Sequence, residues 1–103
     1  MSTKKELKVK HYTAFSSKLA REHHVYAAWI LSIIITKITF EQELVLVVGH
    51  QYIKTITNLD DDIIKALIQM LIELKIIKTS YKQWYKYGLI EVDFDVVDSF
   101  YEK

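Results

Sequence analysis

The chain has no cysteine, no proline and only two glycines in 103 residues. Without cysteine there is no disulfide framework, no thiolate metal site and no cysteine nucleophile. The two glycines, Gly49 and Gly88, stand far apart, so no glycine-rich loop exists to cradle a phosphate. Long apolar runs are missing too. The longest, Val25 to Ile35, is broken by Ser32 and reaches about half of the ~20 residues that a membrane-spanning helix needs. The first apolar block lies behind a polar start, which does not read as a secretory signal. The expectation is a cytoplasmic protein without membrane association. Linkers, internal repeats and low-complexity tracts are also lacking, so the chain reads as one domain over residues 11–103 behind a basic arm, residues 1–10.

What is present is a core. Half of the residues are hydrophobic and 13% are aromatic, which excludes a chain too polar to fold. Net charge is only +1, but it is unevenly laid out. Residues 1–37 carry seven Lys or Arg against Glu6 and Glu22, whereas residues 38–73 carry six acids against Lys54 and Lys65. Residues 74–90 hold Lys75, Lys78, Lys82 and Lys86 with no acid, and the remainder is acidic again. Either the two basic blocks meet in space and give a near-neutral protein a positive face, or they lie apart and serve solubility.

Apolar spacing organises the chain. Phe15 and Leu19, one turn apart, predict a first helix from Tyr12 to Glu22. Val25, Tyr26, Trp29, Ile30, Ile33 and Ile34 predict a second from His24 to about Lys37, apolar almost all round and therefore central or covered by another chain. Its β-branched end, Ile33 to Thr36, also reads as strand. The stretch ELVLVVGHQYIKTIT resembles a hairpin turning at Gly49-His50. Asn58 or Asp60 then caps the strongest helix, with Ile63, Leu67, Met70, Leu71 and Leu74 as one apolar ridge, widened by Ile64, Ile68 and Ile72. Asp62, Lys65, Ala66, Gln69 and Glu73 are left to solvent. Ile76 to Val92 reads as strand, turn, strand, with Gly88 at the return and Leu89, Ile90 and Val92 pairing back against Ile76 and Ile77. A terminal helix capped by Asp93 or Asp95 would pack Phe94, Val97 and Phe100 or Tyr101.

Helix, basic hairpin and closing strand, in that order, are how a winged-helix domain ends, so the fold class expected is a small α+β winged helix with a β-hairpin wing. The wing mixes cations with flat rings: Lys78, Tyr81, Lys82, Trp84, Tyr85, Lys86 and Tyr87. Lysines neutralise phosphates and release counterions, while exposed rings stack on bases or sugars. The competing reading is a solubilised hairpin whose aromatics, Trp84 among them, cover the edge of the core.

The stretch from about Val25 to Tyr101 also resembles the winged-helix N-terminal domain of replication-initiator-type proteins of phages and mobile elements of Gram-positive bacteria. The similar parts are the helix AAWILSIII, a short strand HQYIKT, the helix ending ALIQMLIELKII, and YKQWYKYGLIEVDFDVVDSFYEK. Leu71, Leu74 and Ile76 are similar to the leucine-rich tail of a recognition helix, and Trp84, Gly88, Leu89 and Ile90 to a wing strand. Small winged-helix proteins of archaeal viruses look much the same. The chain departs from the pattern in two ways: the helix between first strand and recognition helix is missing or cut to Thr57–Leu59, and a C-terminal replication domain is not expected.

Together, the basic wing and the resemblance lead to the expectation of a small nucleic-acid-binding protein of a virus, phage or mobile element, with DNA as its partner, acting as a transcriptional regulator or replication accessory. Lys78, Lys82 and Lys86 would meet phosphates, Trp84 or Tyr85 a sugar or base, and Lys65 and Gln69 the groove. Asp62 and Glu73 beside Lys65 and Gln69 make the helix a poor groove reader, so binding should be salt-sensitive and largely sequence-independent. The alternative is a protein-interaction module, either a homodimer through the Trp29–Ile34 helix or a dock on a replication or host protein. Catalysis, cofactor and metal are not expected. His23 and His24 are adjacent and point to different faces, His11 and His50 cannot be placed near them, and Asp93, Asp95 and Asp98 fit a helix start better than a cation clasp. Ser16, Ser17 and Ser99 lie in no nucleophile motif.

Overall fold

The computed structural model describes residues 16–43 and 45–101. The arm over residues 1–10, the start of the first helix at Tyr12 and the inward placement of Phe15 lie outside them. Among the described residues the chain folds as α1 (Ser17–Glu22), α2 (Val25–Glu41), β1 (Val45–Val47), α3 (His50–Thr57), α4 (Asp61–Glu73), α5 (Tyr81–Tyr87), β2 (Leu89–Glu91) and α6 (Phe94–Tyr101). This is a small α+β domain, with an antiparallel pair β1–β2 beside the helices. No helix among the described residues is long and apolar enough to cross a membrane.

α2 is the centre of the core. Ala27, Ala28, Ile30, Leu31, Ile34, Ile35 and Ile38 are all buried. The β-branched stretch that also read as strand is helical, and the helix runs a turn past Lys37 to Glu41. Helix propensity costs a β-branched residue under about 0.7 kcal/mol, whereas full burial of an Ile side chain contributes roughly 1.5–3 kcal/mol, so packing decides. The hydroxyls of Thr36 and Thr39 donate to the carbonyls of Ser32 and Ile35 at 2.8 and 2.9 Å, which occupies them inside the helix. His24 starts α2 as its N-cap, its Nδ1 accepting from the Tyr26 amide at 3.0 Å. α1 is fixed by Ser16, whose Oγ accepts from the Leu19 amide at 3.1 Å and donates to the Phe100 carbonyl at 2.6 Å, tying α1 to α6.

The hairpin expected around Gly49-His50 does not form. Of its described residues Val45–Val47 are strand, and HQYIKTIT is the helix α3, with Gly49 as an extended N-cap and Asn58 as a left-handed C-cap. Ile53 and Thr57, one helical turn apart, are its buried face. Thr57 Oγ1 donates to the Ile53 carbonyl at 2.8 Å and accepts from the Leu59 amide at 3.2 Å, closing the turn into α4. The short strand expected at HQYIKT is therefore a helix, and the first strand lies before it, at Val45–Val47. Asp60 takes the N-cap position of α4. The buried face of α4 is Ile64, Leu67, Ile68 and Leu71; Ile63, expected on the ridge, is exposed.

α4 ends in a Schellman motif. The Ile76 amide donates to the Leu71 carbonyl at 3.0 Å and the Lys75 amide to the Ile72 carbonyl at 2.9 Å, with Lys75 left-handed at φ 69° and Leu71 and Ile76 both buried. Beyond it, the expected strand–turn–strand is replaced. Ile77 makes a single antiparallel bridge to Val92, Tyr81–Tyr87 is the helix α5, and β2 pairs with β1 in the register Val45–Glu91, Leu46–Ile90, Val47–Leu89. Of the pairing expected against Ile76 and Ile77, Val92 keeps its place, while Leu89 and Ile90 turn to β1. α6 is capped by Asp93, whose Oδ1 accepts from the amides of Asp95 and Val96 at 3.0 and 3.4 Å, and it buries Val97.

Candidate nucleic-acid interface

The expected site residues fall on α4, on α5 and on the segment between them. α5 is short, and its sequence YKQWYKY alternates rings with cations. Ser80 opens it by accepting from the Gln83 amide at 3.2 Å, and Gly88 closes it in the left-handed region at φ 71°. A Cβ at Gly88 would stand 3.1 Å from the Gly49 nitrogen, so both the turn and the close approach of the start of α3 require glycine there.

One ring fixes the orientation of α5. Trp84 is 1% exposed, and its Nε1 donates to the Val48 carbonyl at 2.7 Å. Trp84 thus belongs to the core edge, and of the two rings expected to meet a sugar or base only Tyr85, at 55% exposure, is on the surface. With Trp84 inward, Lys82, Tyr85 and Lys86 are all exposed. Lys82 and Lys86 are one turn apart, and neither has a carboxylate partner among the described residues. Like charges at that spacing oppose an isolated helix by about 0.2–0.5 kcal/mol. The fold carries this cost on a helix of seven residues.

α4 meets α5 through its exposed face. Lys65 Nζ lies 5.1 Å from the centroid of the Tyr85 ring, and Tyr81 stacks on Tyr85 at 5.9 Å with an interplanar angle of 19°. A cation over a ring face is worth about 0.5–1 kcal/mol at an exposed site. Lys65 and Gln69 are both half-buried, Gln69 one turn further along the helix. Four expected residues, Lys65, Lys82, Tyr85 and Lys86, therefore share one surface, with Gln69 on its α4 flank. Tyr81 joins them. It was legible only as part of the aromatic run, since its stacking depends on α5 being a helix.

Lys78 does not join that group as a free cation. Its Nζ is 3.5 Å from Glu91 Oε2, across the backbone bond from the Lys78 amide to the Glu91 carbonyl. The acidic start of α4 is partly offset in a similar way: Asp61 Oδ1 lies 3.4 Å from Lys54 Nζ on α3. Asp62 and Glu73 stay exposed on α4. The surface is thus graded, basic where α4 touches α5 and acidic at either end of α4. No protein-family model matches the chain, and no curated protein or solved structure matches it either.

Proposed function

We propose that the protein is a winged-helix-type nucleic-acid-binding domain, with α4 in the recognition position and α5 filling the place of the wing. The contact of Lys65 with Tyr85 carries this proposal, because it joins the one cation of α4 to the lysine pair of α5 in a single platform. Support for the fold comes from the element order: a core helix, a strand, two helices, the Ile77–Val92 bridge and a returning strand that pairs with the first. Lys82 and Lys86 neutralise phosphates, Lys65 and Gln69 reach toward a groove or strand, and the Tyr81–Tyr85 stack offers a sugar or base an aromatic edge. With acids flanking the platform and three lysines on it that have no carboxylate partner among the described residues, binding is salt-sensitive and weakly sequence-dependent, as suits an accessory or regulator of a replicating element.

Fluorescence anisotropy with labelled single- and double-stranded DNA, at low and near-physiological salt, tests this. The expected result is saturable binding that weakens as salt rises and is abolished by Lys82→Glu with Lys86→Glu. Absence of binding at low salt sinks it. A second reading, a protein-docking module, is favoured by Phe40, which is 87% exposed at the end of α2. An apolar contact of that kind would persist at high salt, where the phosphate contacts fade.

A further inference from the structure

The two helices of the platform keep their charges on different faces. On α4, Asp62, Ala66, Gln69 and Glu73 recur at helical spacing and form one stripe, with an exposed carboxylate at each end. Lys65 stands beside that stripe, where it reaches the Tyr85 ring of α5. α5 itself carries no acid. With Trp84 turned into the core, Lys82 and Lys86 lie on the opposite face, with Tyr85 to one side of them and Tyr87 to the other. Tyr85 is already engaged by Tyr81 and Lys65. Tyr87 is 62% exposed and has neither a ring nor a cation against it among the described residues.

We propose, on the nucleic-acid reading of the α4–α5 surface, that the ligand is an unpaired nucleic-acid strand and that Tyr87 stacks on one of its bases. A helix in the major groove of a duplex lies between two walls of phosphate. Entering along its exposed stripe, α4 brings Asp62 and Glu73 toward those walls; entering by its first turn, it leads with Asp61 and Asp62. Like charges oppose either approach. A single strand needs only one line of cations, and Lys65, Lys82 and Lys86 supply it on the α5 side of the carboxylate stripe. The rings separate the two ligands further. Bases in a duplex are stacked on one another and close their faces to a side chain, whereas an unpaired base offers its face to an exposed ring. Every base has such a face, so the stacking adds affinity without adding sequence preference.

Competition titrations on the full chain at low salt, read by fluorescence anisotropy, compare a DNA strand of about 12 nucleotides, its blunt duplex and an RNA strand of the same sequence. The expected result is binding of an unpaired strand about tenfold or more tighter than of the duplex, and the better of the two strands identifies the sugar. Tyr87→Leu should weaken strand binding by about fivefold or more and leave duplex binding unchanged, whereas Tyr87→Phe, which keeps the ring, should bind as the wild type does. Asp62→Asn combined with Glu73→Gln should raise affinity for the duplex more than for the strand. All three positions are exposed, so the far-ultraviolet circular dichroism of the fold is retained. Equal or tighter binding of the duplex overturns the proposal. So does strand binding indifferent to Tyr87→Leu, or removal of the α4 carboxylates that helps the strand as much as the duplex. Each of these leaves the nucleic-acid reading standing. Absence of binding to all three ligands removes that reading, and the preference for an unpaired strand with it.

Discussion

Lys75 occupies a position that usually belongs to glycine. It is the left-handed residue after α4, at φ 69°, held by the two closing bonds of the Schellman motif. A side chain there costs about 1 kcal/mol relative to glycine, because Cβ crowds the backbone. Lys75→Gly should therefore raise the urea midpoint by the equivalent of about 0.5–1 kcal/mol without altering the fold, with part of the gain lost to the freer unfolded chain. A lower midpoint would mean that the lysine side chain contributes more than its backbone strain. Tyr101 makes a second prediction at this scale. Burial pushes its phenol from the ordinary 10 up to about 12. The neutral form is the one the fold favours, so this contribution is complete below pH 10 and is lost as pH rises through 12. Thermal unfolding followed across that window should fall more steeply for the wild type than for Tyr101→Phe, which has no proton to lose.

At the scale of the element, α5 depends on one indole. Trp84→Phe keeps most of the apolar volume but leaves the buried Val48 carbonyl without its side-chain donor, a loss of about 1–3 kcal/mol. The expected outcome is a lower denaturation midpoint together with faster amide exchange over Tyr81–Tyr87; an unchanged midpoint would show that the indole bond is dispensable. The same indole explains why α5 was not legible in advance. Its rings favour strand in isolation, and only burial of Trp84 between Ser80 and Gly88 selects helix. α3 was hidden in the same way, because Ile53, Thr55, Ile56 and Thr57 are β-branched and the two buried positions, Ile53 and Thr57, define a helical face only once the core is there. α2 and α4 announced themselves because they are long enough for the 3.6-residue period to outweigh local preference. For the candidate site, the lysines and rings could be read from the chain, but their partners could not. The pairing of Lys78 with Glu91 and the contact of Lys65 with Tyr85 both arise from chain reversals that composition does not encode.

For the whole molecule, what matters is how a near-neutral chain sorts its charge. Among the described residues Lys54 and Lys78 face carboxylates, Lys37 pairs with Glu41, Lys65 lies over the Tyr85 ring, and Lys82 and Lys86 flank Tyr85 on α5. If Lys65, Lys82 and Lys86 neutralise phosphates, the logarithm of duplex affinity should fall with the logarithm of salt at a slope of about −2.7, or nearer −2.1 for a single strand. Each of Lys65→Met, Lys82→Met and Lys86→Met should then shallow the duplex slope by about 0.9. Lys78→Met should change it by less than half of that, because Glu91 already sits against its ammonium and would be left as an unpaired negative charge near the platform. Anisotropy titrations at four or more salt concentrations distinguish these cases. If all four substitutions shallow the slope equally, the nucleic acid extends across the Ile77–Val92 bridge and displaces Glu91 from Lys78. If only Lys78→Met changes it, the α4–α5 platform is not the binding face.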